Sequence, residues 1–492
     1  MDKKLLKIIR QQTDLISLFA VFIFTVGFFL RLIAAVEYPL WLDEASYYFI
    51  SQSKVFDILS LRHWNVSQPP LYTLILHFWQ LINNSELFLR LPSLFFSAVA
   101  LILAYLLGKN LVNRLFGLII LTVFSFSNFL ITLSWQANVY SLVIMFVMIS
   151  MYLYFIKLKD KHTAFFLIIL NILGMLSDYS FVWLILSLII FELANYFFIY
   201  HRKKYFFHDR YYKLLVLFTT CIFIFLWILI TMNKIPAALA LANWFTGEEM
   251  VQNALTSFVG ISNLIDGKTL LYLILMISGS IPGIFNSNKK IKLFFIFILI
   301  SILFPFISAY LFSIWIQPIF LARHLNVIAI ALLIGLSYFI FLYRNLITII
   351  MLSVYIFLSL SGFNDLTKIG IFKFNWRETS NLIYENIIED SRADNIFLEA
   401  QNKEYNFQPL RYYLSQGKRI KNRSISGKLY FPNYIQDYED ILNYSRKDIK
   451  YNIWLFDFTY DNVHLLEFSE RFDCLRKTSY SAPDAYFIKC EL

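Results

Sequence analysis

Apolar residues do not alternate with polar ones along most of this chain. They run on in blocks of about 15 to 24, the length that crosses a bilayer as a helix. Blocks near 14–36, 87–107, 115–133, 138–156, 163–177, 179–199, 213–232, 269–286, 291–314, 320–341 and 345–362 predict about eleven membrane-spanning helices, the shortest at 163–177. Past 363 the long apolar runs stop and charge rises. There Asn395–Ala400, Asn452–Phe458 and Ala485–Leu492 predict strands, and Trp376–Asp390 and Pro409–Ser415 predict helices. The expected fold class is mostly α: a polytopic membrane region over 1–362 with a small C-terminal α/β domain over 363–492.

Composition fits this pattern. The chain is 59% hydrophobic and only 15% charged, with a mean hydropathy of +0.60; a soluble domain carries about 25% charged residues. The net charge of +10 would suggest nucleic acid for a soluble protein. Here the cations sit between apolar blocks, so no nucleic-acid partner is expected. The N-terminus, Lys109 with Arg114, Lys157–Lys161, His201–Lys213, Lys289–Lys292 and Arg344 fall on one side. The opposite loops, 37–86, 134–137, the corner at Asp178, 233–268 and 315–319, hold few Lys or Arg. Positive charge marks the cytoplasmic side, and an odd number of spans puts 363–492 outside.

Lys3, Lys4, Lys7 and Arg10 before the first block resemble a signal sequence. The block is too long for one and lacks a small-residue cleavage pattern, so it reads as a retained span. Of three cysteines, Cys221 lies in an apolar run. Cys474 and Cys490 flank Ala482-Pro483-Asp484 and would face each other in a hairpin centred there. They are either a disulfide, which needs an oxidising compartment, or two unrelated thiols.

The candidate chemistry gathers in the outer loops. Loop 37–86 is long and rich in aromatics, including Trp41, Tyr47, Tyr48, Trp64, Tyr72 and Trp79, as suits a membrane interface. Its segment Leu71–Ile82 is too short to span. Leu40-Trp41-Leu42-Asp43-Glu44-Ala45 sets two carboxylates directly after a span, where ionisable groups are costly without a task or a partner. The alternatives are a solvated pair or a salt bridge to Arg31. Four weaker elements share that side. Gln68-Pro69-Pro70-Leu71-Tyr72 is a turn by itself. Glu86–Ser93 carries Arg90, which as a lone cation would ordinarily snorkel. Ser134–Leu142 is a polar corner with Gln136, Asn138 and Tyr140, or else a plain solvated turn. Gln317–His324 ends in Arg323 and His324.

No His/Cys cluster has zinc spacing, and no phosphate-binding glycine pattern occurs. No cofactor is therefore expected, a divalent metal being open but unsupported by any pattern, nor is a nucleotide-sugar donor. His201, His208 and Asp209 lie among Lys and Arg and fit contact with anionic membrane lipid.

Leu-Asp-Glu-Ala at 42–45, Pro-Pro-Leu-Tyr at 69–72, Arg-Leu-Pro-Ser at 90–93 and Tyr-Ser-Leu at 140–142 together resemble the protein O-mannosyltransferase superfamily. Its relatives include the bacterial aminoarabinose transferases (glycosyltransferase family thirty-nine and its neighbours). The resemblance is strong over roughly 20–160 and returns at Pro318–His324, where Arg323-His324 stands for the usual Arg-Tyr. Asn375-Trp376-Arg377-Glu378 is more weakly similar to the segment opening the outer domain of bacterial members. The resemblance implies a C-type glycosyltransferase fold. It also implies an extracytoplasmic enzyme that moves a hexosyl or pentosyl group from a polyprenyl-phosphate carrier to a hydroxyl on a glycan, lipid or protein. The first-loop Asp, here Asp43, would be the base.

The chemistry agrees with that expectation. A lipid phosphate leaves readily, so the reaction needs a base for the acceptor and cations for the departing phosphate. Arg323, Arg90, Lys234, His63 and His324 are the candidate cations or hydrogen-bond donors, and Glu44 would orient the acceptor or pair with a cation. The chain departs from the family's Ser-Gln-Glu-Ala-Arg-Met-Tyr, having Gln136 and Asn138 at the two charged positions. It also has Asp178-Tyr179 in place of a His-Tyr pair, and Asp178 is expected to restore some of the lost negative charge. The rival readings are a flippase or transporter of lipid-linked sugars and a non-catalytic membrane subunit. Transporters more usually place ionisable groups near mid-bilayer, in paired broken helices.

Overall fold

The computed structural model describes residues 3–61, 69–197, 207–231, 274, 277–315, 320–343, 346–368, 375–389, 394–399, 408–420, 429–430, 451–456, 476–482 and 485–491. Packing divides the chain into two units. One comprises Met1–Ala35, Ser53–Ile82 and Leu87–Leu366; the other comprises Val36–Gln52, Asn83–Glu86 and Thr367–Leu492. The acidic segment at 42–45 thus packs in the same unit as the C-terminal residues, whereas the sequence pattern grouped it with the membrane helices.

The first unit is helical. After α1 (Lys3–Glu37), and past α2 (Leu42–Ser51) of the second unit, come the short helices α3 (Val55–Leu59) and α4 (Leu71–Trp79). The chain continues through α5 (Glu86–Leu111), α6 (Arg114–Phe126), α7 (Asn128–Trp135), α8 (Tyr140–Tyr152), α9 (Lys161–Ser177), α10 (Val182–Asn195) and α11 (Phe207–Thr231). Then follow α12 (Ser280–Ile284), α13 (Lys289–Trp315), α14 (Asn326–Leu342) and α15 (Leu346–Lys368). Among the described residues five helices are long and apolar enough to cross a membrane, or six if α6 and α7 form one bent span. Lys161–Ser177, Tyr179–Asn195, Asn326–Leu342 and Leu346–Ser361 are shorter apolar helices. Of the expected span at 269–286, residues 269–273, 275 and 276 lie outside the described residues, and the described part holds the short helix Ser280–Ile284.

One expected span is not a single helix. The block at 115–133 breaks into α6 and α7, bent by 62°. The Ser127 side chain accepts the Leu130 N–H and so caps α7. The break leaves the last carbonyls of α6 without helical donors. Arg31 of α1 supplies them: its guanidinium donates to Phe124 O at 3.0 Å and to Ser125 O at 2.9 Å. It also donates to Gly27 O at 2.7 Å and to Ser97 Oγ at 2.9 Å. A cation suits the negative end of a helix. Gly27 lets α1 come this close, since a Cβ there would lie 2.6 Å from Ser125 Cβ. Arg31 is fully buried and has no carboxylate partner among the described residues. The alternative of a salt bridge from Arg31 to the acidic pair is therefore overturned.

Polar side chains also join helices within the first unit. Asn171 accepts from Ser150 and donates to Thr220, linking α8, α9 and α11. α8 passes into a π-helical turn at Leu153–Lys157. There Tyr154 donates to buried Glu192 at 2.7 Å, with Lys213 3.4 Å from the same carboxylate. An acid inside the apolar run of α10 is the signal for this cluster, and the sequence pattern alone did not expose its partners.

In the second unit the C-terminal residues form α16 (Trp376–Glu389), β1 (Asp394–Glu399), α17 (Gln408–Ile420), β2 (Leu429–Tyr430), β3 (Tyr451–Phe456), β4 (Arg476–Ala482) and β5 (Ala485–Glu491). The sheet order is β2-β1-β3-β5-β4, with β1 parallel to β2 and β3 and the rest antiparallel. α16 buries Trp376, Thr379, Ser380, Ile383, Tyr384 and Ile387, one face at helical spacing. These meet Phe397, Trp454, Phe456 and Phe487 from the sheet and Leu410 and Leu414 from α17. Trp454 stacks on Phe397 and donates to Asn395 Oδ1 at 2.9 Å. β4 and β5 pair antiparallel with Ala482 opposite Ala485, and this register sets Lys477, not Cys474, opposite Cys490. Cys474 itself lies outside the described residues.

Candidate functional site

The two acidic residues open α2, where anionic side chains are favoured by the free N–H groups of the first turn. Glu44 is fully buried, and its Oε2 accepts the Trp41 N–H at 3.1 Å. It thereby ties the third helical residue back to the residue before the helix, half of a capping box. Asp43 is only half-buried. The pair therefore divides: Glu44 has a capping task, and Asp43 keeps access to solvent.

The segment around Asp43 is held within its own unit. Arg377 of α16 donates to Glu86 Oε1 at 2.8 Å and Oε2 at 3.3 Å. It also reaches the carbonyls of Val36, Glu37 and Tyr38 at 3.3–3.4 Å, the closing turn of α1. Burial alone would lower the Arg377 pKa; the Glu86 carboxylate outweighs that and the net shift is upward. The Leu40 N–H donates to the Tyr413 hydroxyl at 2.6 Å. Asn84 accepts from the Tyr412 hydroxyl at 3.0 Å and donates to the Tyr48 hydroxyl at 3.1 Å.

In the first unit, three of the other candidate elements meet. The Tyr72 hydroxyl lies 2.9 Å from Ser93 Oγ, and that Oγ donates to Asn138 O at 3.2 Å. So Pro-Pro-Leu-Tyr, Arg-Leu-Pro-Ser and the polar corner share one buried network. Arg90 is fully buried; it donates to Ala35 O at 2.7 Å and lies 4.8 Å from the centre of the Trp135 ring. This corrects the snorkelling alternative, because Arg90 binds a helix carbonyl and an aromatic face inside the protein. The corner turns tightly, the Asn138 N–H donating to Gln136 O at 2.7 Å. Gln136, Asn138 and Tyr140 are all buried, so the alternative of a solvated turn is overturned. Asn138 Nδ2 and Ser141 Oγ are buried without a hydrogen-bond partner among the described residues.

The fifth element approaches as well. The Tyr140 and His324 rings lie edge to face at 6.2 Å. Arg323 and His324 sit in a short 3-10 turn, both part-buried, and Asn326 Nδ2 holds that turn by donating to Arg323 O at 2.9 Å. Asp178 is buried, and its Oδ1 accepts the Ser180 N–H at 2.6 Å, capping the turn Tyr179–Phe181. That cap accounts structurally for an acid at this corner. His63 and Lys234 lie outside the described residues. Among the described residues no cluster of three His, Cys, Asp or Glu could hold a metal ion.

The five apolar helices of spanning length among the described residues, or six with the bent pair, mark a multi-pass membrane protein. The fold is similar to that of ArnT from Cupriavidus metallidurans in the apo state, with a TM-score of 0.57 at 10% identity over 97% of this chain and 98% of that one. The same protein bound to undecaprenyl phosphate gives 0.56 at 10% identity over the same shares. An Archaeoglobus fulgidus oligosaccharyltransferase, in complex with zinc and sulfate, gives 0.50 at 10% identity over 89% of this chain and 68% of that one. In sequence, residues 67–230 match the dolichyl-phosphate-mannose-protein mannosyltransferase family. No curated protein matches the chain by sequence.

Proposed function

We propose that this protein is a membrane glycosyltransferase that moves a sugar from a polyprenyl-phosphate carrier to an acceptor hydroxyl on the extracytoplasmic side. Asp43 is the general base. The observation that carries this reading is the contrast at the start of α2: Glu44 is buried as a cap, while Asp43 beside it is half-buried. The family match over 67–230 and the shared fold with an undecaprenyl-phosphate-bound transferase support the donor class.

In this reading the Asp43 carboxylate takes the acceptor's hydroxyl proton as the oxygen attacks the anomeric carbon. The bond from that carbon to the phosphate oxygen breaks, and its electron pair leaves with the lipid phosphate. No general acid is needed, unlike glycoside hydrolysis with its paired carboxylates. Arg323 and His324 are part-exposed, whereas fully buried Arg90 suits scaffolding of the corner. Glu44 acts as a positioning residue. Loop charge supports the outer placement, with the basic loops at Lys109, Lys157–Lys161 and Lys289–Lys292 facing the cytoplasm.

Purified protein in liposomes, given polyprenyl-phosphate sugars and candidate acceptors, tests the reading. Release of free carrier phosphate together with a glycosylated acceptor supports it. Movement of intact donor between leaflets without release would replace it with the flippase reading.

A further inference from the structure

Beyond the Glu44 cap within α2, side chains of α16 and α17 hold the chain on both sides of the acidic pair. Three consecutive carbonyls, at 36–38, converge on the Arg377 guanidinium, which is also paired with Glu86. Two residues later the Leu40 N–H is held by the Tyr413 hydroxyl. Beyond Asp43, the Tyr48 ring meets the Tyr412 ring edge to face at 5.1 Å, and Arg411 lies 5.2 Å from the centre of the Phe49 ring. Asn84 joins the two sides, binding both Tyr412 and Tyr48, and Gln416 donates to its carbonyl as well at 3.3 Å. The chain is therefore pinned three residues before Asp43 and five residues after it. The Arg377–Glu86 pair is part-exposed, with side-chain exposures of 39% and 16%. A pair in that setting adds little to stability. A guanidinium that forks across a carboxylate and three carbonyls fixes geometry instead.

We infer that Arg377 and Tyr413 are positioning residues that set the attitude of the Asp43 carboxylate from the C-terminal helices. The inference rests on Asp43 being the base. Misplacing a reacting group by about 1 Å can cost about 100-fold in rate without changing what is bound. The clamp therefore acts on kcat and leaves donor binding alone. Lysine at 377 keeps the charge toward Glu86 but lacks the planar fork, so it restores only part of the effect.

The test uses the full chain in liposomes with a polyprenyl-phosphate sugar and its acceptor, and compares Arg377→Gln, Arg377→Lys, Tyr413→Phe and Asp43→Asn. Arg377→Gln is expected to lower kcat about 30-fold and Tyr413→Phe about fivefold, with donor KM within about twofold. Arg377→Lys should fall between Arg377→Gln and wild type, and melting temperatures should stay near wild type. Tyr413→Phe removes a single hydroxyl and keeps the proposal testable if Arg377→Gln fails to fold. An inactive Asp43→Asn alongside wild-type kcat in both Arg377→Gln and Tyr413→Phe overturns the clamp alone. A fully active Asp43→Asn overturns the base assignment, and the clamp with it. A rise in donor KM with kcat unchanged would place these residues in substrate binding and also overturn the proposal.

Discussion

Replacing Arg31 by alanine probes how the first unit holds its broken helix. The wild-type guanidinium makes four hydrogen bonds inside the protein, to Phe124 O, Ser125 O, Gly27 O and Ser97 Oγ. The Gly27 carbonyl lies within α1 and keeps a helical partner. The Phe124 and Ser125 carbonyls do not, because the helix breaks at Ser127. Each buried carbonyl left without a donor costs about 1–3 kcal/mol, so the two cost about 2–6 kcal/mol. Removing a buried charge relieves its desolvation and works in the opposite direction. The net expectation is a loss of about 2–4 kcal/mol in a reversible denaturation assay in mixed micelles. Ser97→Ala alone should cost about 1–2 kcal/mol and should add almost nothing to Arg31→Ala, since the two share one bond. An Arg31→Ala protein at least as stable as wild type, or full additivity with Ser97→Ala, would refute this account of the bend.

Other consequences are more local. Tyr72→Phe removes the hydroxyl beside Ser93 and should cost about 1 kcal/mol in the same assay, while Ser93→Ala should cost more because Asn138 O then loses its donor. Glu44→Gln keeps an oxygen for the Trp41 N–H and should retain most stability and activity. Glu44→Ala should lose about 1 kcal/mol by thermal melting. At the Asp178 cap, Asn can still accept from Ser180, so Asp178→Asn should melt like wild type. A fall in turnover for that variant would then report the charge itself, and unchanged turnover would remove Asp178 from the mechanism.

The membrane helices were legible because an apolar window of helical length has few other uses. The break at Ser127 was not. Two serines and an asparagine in a run of Phe, Leu and Ile are too weak a polar signal, and the deciding partner, Arg31, lies far away in sequence. The three inner strands were legible from their apolar runs. β4, Arg476–Ala482, is polar and takes its place from pairing with β5, so local sequence did not mark it. The same pairing fixes the register that separates Cys490 from the expected facing position. The acidic pair stood out at once, yet its division into a cap and a half-exposed carboxylate needed the Trp41 contact. Tyr413 carried no signal, because its role depends on a backbone N–H distant in sequence.

The central claim is that Asp43 activates the acceptor of a lipid-phosphate sugar transfer. The most direct measurement is the rate of carrier-phosphate release by wild type and Asp43→Asn in liposomes, with protein amount and folding matched. Loss of the base should lower kcat by about 100- to 10,000-fold with donor affinity preserved. Release by Asp43→Asn within about threefold of wild type, against that expected loss, would contradict the account.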